Sequence, residues 1–130
     1  MQIQIHGMSA IVTSRPTERQ EYEGKGEQRK VIGRLRDSEG RALSGASVVV
    51  ITQEVGMVSD GTIYVPDGVA MKLVEGTVVS VPGTAVLRMM GGDYGSIRGS
   101  VTGVSDVSPR GTLVDLLASA PLDSRTTGSK

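Results

Sequence analysis

Apolar and polar residues alternate from the first positions of the chain. In QIQIH, residues 2–6, Ile3 and Ile5 fall on one face and Gln2, Gln4 and His6 on the other. That period of two is the pattern of a half-buried strand. AIVTS, residues 10–14, carries it past Gly7, so a long first strand bent at Gly7 is predicted. ASVVVITQEV, residues 46–55, is the strongest apolar run and predicts a buried central strand. GMVSDG reads as a turn and TIYVP as a short strand. Val69, Lys72 and Leu73 then fit about one helical turn, ended by Gly76. TVVSV and AVLRMM are strands joined by a Pro-Gly-Thr turn. The last strand is YGSIRGSVTGVSDV, residues 94–107. Tyr94, Ser96, Arg98, Ser100 and Thr102 share the face expected to see solvent. Ile97 and Val101 share the other with Gly95, Gly99 and Gly103.

RPTERQEYEGKGEQRKVIGRLR, residues 15–36, reads as two extended arms around Gly24-Lys25-Gly26, glycines suited to a hairpin tip. It is too polar to pack by itself, so it is expected to project from the body. Beyond Pro109 the character changes. Leu113, Leu116 and Leu117 fit a short amphipathic helix, and the last eight residues read as disordered. Residues 1–14, 28–36, 46–54, 77–90 and 94–106 are expected to form one sheet. The predicted class is all-β: a small five-stranded OB-like Greek-key barrel with a projecting basic β-hairpin. Residues 1–108 would be the barrel domain and residues 109–130 a partly disordered C-terminal tail.

Composition narrows the chemistry. Cysteine is absent and His6 is the sole histidine, which removes disulfides, thiol catalysis, Cys-based zinc sites and a Ser-His triad within one chain. No carboxylate pair or activated nucleophile can be placed, so no enzymatic role and no cofactor is expected. The start lacks the basic and apolar regions of a signal peptide, and no run reaches membrane-spanning length. A soluble, cytoplasmic protein without a membrane role is the expectation.

The 14 basic and 14 acidic residues balance overall but not locally. Arg15, Arg19, Lys25, Arg29, Lys30, Arg34 and Arg36 crowd the hairpin window, offset in part by Glu18, Glu21, Glu23 and Glu27. Between Ala42 and Leu87 the one base is Lys72. The basic window fits an ordinary solvated hairpin or a nucleic-acid contact, the second because the cations flank Tyr22. Tyr94 fits a small core or a stacking platform for a flat ligand. EGKGEQ lacks the spacing of a phosphate loop, and Asp60 and Asp67 lack the density of a calcium loop. Tyr64 reads as structural, His6 as a surface residue, and Met89 and Met90 as core or dimer-interface filler.

Two family resemblances follow. MQIQIHGMSAIVTSR, the basic RPTERQEYEGKGEQRK with its central tyrosine, and GGDYGSIRGSVTGV resemble, in order over about residues 1–108, the single-stranded-DNA-binding replication proteins of filamentous phages and similar plasmid proteins. That resemblance implies a five-stranded Greek-key barrel acting as a homodimer. It implies wing contacts from Arg15, Arg19, Tyr22 and Lys25, and a stacking role for Tyr94. With the neighbouring Arg29, Lys30, Arg34 and Arg98, these are the candidate nucleic-acid-binding residues. The expected partner is single-stranded DNA, with RNA as a further class. VIGRLRDSEGRALSGASVVV instead resembles, over about 20 residues, the carboxypeptidase-regulatory-like, transthyretin-like β-sandwich modules. That implies a protein-interaction module without a nucleic-acid role. A small assembly protein docking through its leucine-bearing tail is a third reading.

Overall fold

The computed structural model describes residues 1–91 and 97–119. The predicted first strand is present in two halves, β1 (Gln2–His6) and β2 (Ser9–Val12). The bend sits at Gly7, whose φ of 60° is the left-handed region, open to glycine without a Cβ penalty. There follow β3 (Thr17–Glu18), β4 (Gln20–Glu23), β5 (Lys30–Arg34), β6 (Leu43–Thr52) and β7 (Gly56–Pro66). A 3₁₀ segment, Asp67–Lys72, leads to β8 (Thr77–Ser80), β9 (Thr84–Gly91), β10 (Ile97–Thr102), β11 (Ser108–Thr112) and helix α1 (Leu113–Ser119).

The chain is mostly β and its main sheet curls into a half-barrel, in the order β1-β9-β10-β7-β6-β2-β8-β11 with β3 added beside β6. β7 and β10 are the parallel pair, Asp60 facing Arg98 and Ile63 facing Val101. β1 runs antiparallel to β9, and β2 to β8. The pairing continues across both bends, because Gly7 N donates to Gly83 O and Val81 N to Met8 O, each at 2.9 Å. β2 also borders β6, while β9 borders β10. The bent first strand therefore touches both ends of the series β6-β7-β10-β9.

Alternation decides what the curl encloses. Ile5, Ala10, Val12, Val48, Val50, Ile63, Val65, Val79, Leu87 and Val101 turn inward and are almost fully buried. Leu73, just past the 3₁₀ segment, is 2% exposed and joins this core. Among the described residues this core is aliphatic, with Val, Ile, Leu, Ala and Met and no aromatic ring.

Several expectations are corrected. Residues 28–36 do not enter the main sheet; β5 pairs with β4 alone, as a separate two-stranded ribbon. The main sheet instead takes in the whole of β7, which runs straight through the expected turn GMVSDG. Gly61 there is a packing glycine. A Cβ at this position would stand 2.9 Å from Val50 Cγ2 and 3.1 Å from Val48 O, so close approach to β6 requires its absence. Ile97 is not in the core; it pairs with Gly91 at the outer end of the β9–β10 pair and is 56% exposed. The sheet also extends past residue 108, since β11 pairs with β8 through Thr112. The short leucine-bearing helix expected at 113–117 is α1. The expected disorder at the very end of the chain lies outside the described residues.

Candidate functional site

The β4–β5 ribbon rises from the junction of β3 and β6. Every residue of β4 is exposed, as are all of β5 except Arg34. Gly24 and Gly26 take the positive φ expected at the tip, 89° and 59°, and a 3₁₀ turn, Gly26–Gln28, completes it. The register slips between Glu21 and Tyr22, because Glu21 faces Gly33 and Tyr22 faces Val31. Ile32 therefore has no residue opposite, the signature of a bulge. Such an insertion re-aims the side chains that follow, so faces do not simply alternate across it.

Tyr22 is 47% exposed on this ribbon. The Arg29 guanidinium lies over its ring, 4.3 Å from the centroid, a close cation–π contact. Lys25, Arg29 and Lys30 form no ion pair among the described residues, and neither do Glu21, Glu23 or Glu27. The ribbon beyond Arg34 thus carries as many carboxylates as cations, and its distinctive element is the stacked Tyr22–Arg29 pair.

Arg34 does something else. Its Nη2 donates to Asp67 Oδ1 at 2.7 Å and to Leu43 O at 2.9 Å, and its Nε donates to Arg19 O at 3.2 Å. Glu18 Oε2 stands 3.6 Å from Nη1. The same Asp67 oxygen accepts from Ser44 Oγ at 2.8 Å. The Arg34 hydrogen bond holds the Asp67 carboxyl below the usual carboxylate range, with the Ser44 bond adding to it and partial desolvation opposing. Arg34 is a clamp at the base of the ribbon rather than a free cation.

The other expected residues are dispersed. Arg19 turns onto the sheet, where it lies over Gly45 and sits 5.8 Å from the Tyr64 ring centroid. A Cβ on Gly45 would meet Arg19 Nε at 2.5 Å. Arg19 Nε is buried and has no hydrogen-bond partner. Arg15 borders an open groove with Pro16, Ala70, Met71, Leu73 and Val74. Arg98 stands on the outside of β10, its Nε 3.5 Å from Asp60 Oδ2, with both side chains well exposed. Tyr94 belongs to the stretch 92–96, outside the described residues. The residues brought together on the ribbon are therefore Tyr22, Lys25, Arg29 and Lys30.

The sequence understates Tyr64. Its neighbours Ile63 and Val65 point inward, so parity alone puts it on the outer face of β7, beside Gly45. Its ring, Arg19 and the turn at 37–40 form a second feature of the surface.

Comparison with protein-family models, with curated proteins and with solved structures finds no match. No helix among the described residues is long and apolar enough to cross a membrane. Among the same residues no three His, Asp or Glu side chains gather where a metal ion would sit.

Proposed function

We propose that the protein binds single-stranded nucleic acid, DNA in the first place, through the β4–β5 ribbon and the adjoining outer face of β6, β7 and β10. The observation that carries this reading is the Arg29 guanidinium stacked on Tyr22 at 4.3 Å, on an otherwise unburied ribbon. Together the two flat groups make a wide π surface, on which an unpaired base stacks whatever its identity. Lys25 and Lys30 flank it and reach phosphates.

The strand pairings support reading the half-barrel as an OB-like Greek key. Counting β1–β2 and β8–β9 as single bent strands, the pairing order is first, second, third, fifth, fourth, with the third and fifth parallel. OB barrels bind oligonucleotides on the face of their second and third strands, between the first and the last interstrand connections. The ribbon occupies the first of these connections. Tyr94 lies in the chain between β9 and β10, the last of them. On this reading the protein acts without strong sequence preference in replication of a phage or plasmid, in the cytoplasm and as a homodimer.

Titration with single- and double-stranded oligonucleotides at two salt concentrations tests the proposal. Preferential binding of the single strand, weakening modestly with salt, is expected. No binding of either at low salt overturns it and leaves the protein-interaction module as the reading to pursue.

A further inference from the structure

Between the tight turn at 37–40 and the ends of β7 and β10 lies a cavity of about 460 Å³. That volume falls among those of small-molecule pockets. Its construction follows from local pairing. Arg36 bridges to Ala42, and Asp37 N donates to Arg41 O, so residues 36–42 form a small hairpin. This hairpin stands beside Tyr64 and faces the segment 102–105 that leaves β10. Leu35, Leu43 and Val104 provide apolar lining, and Tyr64 provides the ring.

The charges lining the cavity are not equivalent. Arg41 is satisfied by Asp37 at 2.8 Å and Glu39 at 3.0 Å. Arg36 gives Nη1 to Gly40 O at 2.8 Å and forms no ion pair among the described residues. That guanidinium, beside an aromatic ring and two leucines, has no carboxylate in direct contact, and only the more distant Asp67 feels its charge. Beside the same ring, Arg19 leaves its buried Nε donor unpaired. A buried donor without an acceptor is costly, but Arg19 is not among the residues that line the cavity, so the hydrogen-bonding capacity open to a ligand there is that of the exposed Arg36.

We infer that this cavity is a one-nucleotide subsite, in which a base lies against Tyr64 and its phosphate is held by Arg36. The ring and the leucines suit a flat heterocycle, and the unpaired guanidinium suits a single phosphate, for which it offers a two-donor fork. This rests on the nucleic-acid reading for its occupant, a nucleotide of the bound strand. It adds a second contact point, separate from Tyr22 and built on the sheet rather than on the ribbon.

The test uses the full chain and three probes: deoxyadenosine, deoxyadenosine monophosphate and an oligothymidylate, followed by amide NMR shifts and by titration. The monophosphate should shift the amides of Arg36, Tyr64 and Gly103 saturably. Deoxyadenosine should bind about tenfold more weakly, the loss of one charge-assisted hydrogen bond. Arg36→Gln should erase that difference and weaken oligothymidylate binding several-fold. Tyr64→Leu should weaken all three ligands, and a melting curve on each variant checks that it is folded. Oligothymidylate binding that survives Arg36→Gln unchanged, with the cavity amides silent to the monophosphate, overturns the subsite and leaves the strand-binding reading standing. Saturable shifts at the cavity with no oligonucleotide binding overturn both the strand-binding reading and a strand nucleotide as occupant, and leave a site for a free mononucleotide.

Discussion

Arg34 and Asp67 face each other at 2.7 Å across the junction of the ribbon and the sheet. The contact ties β5 to the first residue after β7, and through Ser44 it reaches β6 as well. Isolated two-stranded ribbons are marginal in water, and β4 and β5 bury none of their residues. The orientation of the ribbon is therefore set at its base. Arg34→Lys keeps the charge but cannot reproduce the fork that reaches Asp67, Leu43 and Arg19. The expected result is faster hydrogen exchange at Leu35 and along β4–β5, with slowly exchanging core amides such as Val50 unchanged. Exchange rates that stay the same along the ribbon would show that the clamp does not hold it.

The same contact responds to pH. The Asp67 carboxyl is depressed in the folded protein, chiefly by its bond to Arg34. A depressed carboxylate stabilises the folded arrangement at pH above its unfolded value and loses that contribution as pH falls through the folded one. The Arg34 side chain stays charged throughout. Acidification below the ordinary carboxylate range should therefore loosen the ribbon base, seen as a lower protection factor for the Arg34 Nη protons, each rate divided by the intrinsic rate at the same pH. In Asp67→Asn that protection should already be low at neutral pH and nearly flat through the acid range.

Tyr22→Ala should cost about 1–3 kcal/mol of single-strand affinity, the range for removing a base–aromatic stack. Melting should hardly change, because the ring is about half exposed and packs chiefly under Arg29. Replacing Lys25 and Lys30 with Ala should leave the fold intact and shrink the salt slope by about 0.7 for each single-strand phosphate that the variant no longer neutralises. A slope that does not move would remove the ribbon cations from the binding surface.

Gly61→Val should destabilise the sheet by about 1–3 kcal/mol, the usual range for overpacking. The Val50 methyl group can shift, but the Val48 carbonyl, 3.1 Å from the new Cβ, belongs to the β6 backbone. Urea denaturation measures it. Unaltered stability would mean that β6 and β7 have more freedom to separate than their register implies.

Much of the sheet is legible in the sequence because period-two patterning reports directly on one buried face. Ile5, Ala10, Val12, Val79 and Leu87 are readable for that reason, as is the bend at Gly7. β7 escapes such a reading because Ser-Asp-Gly carries the composition of a turn, and the demand for a missing Cβ at Gly61 comes from Val50, eleven residues earlier. Alternation places Ile97 inward, but the core ends before that position. Of the candidate site, the exposed ribbon with Tyr22 is foreseeable from polarity. The commitment of Arg34 to Asp67 is not, since the two lie 33 residues apart in sequence. Tyr64 is accessible to parity, yet no charged neighbour in the chain marks it as more than structural.

The parallel pairing of β7 with β10 has a consequence for biosynthesis. Asp60 meets Arg98, and the amino group of Met1 bonds Met89 O at 3.1 Å. A ribosome must release about a hundred residues before β7 gains this neighbour, and β1 waits almost as long for β9. Until then the nascent chain presents β6–β7 with one edge bare, a template for other extended chains. Pairings so distant also make closure slow. The interval between translating Pro66 and translating Val101 is thus the period in which this protein most needs a chaperone.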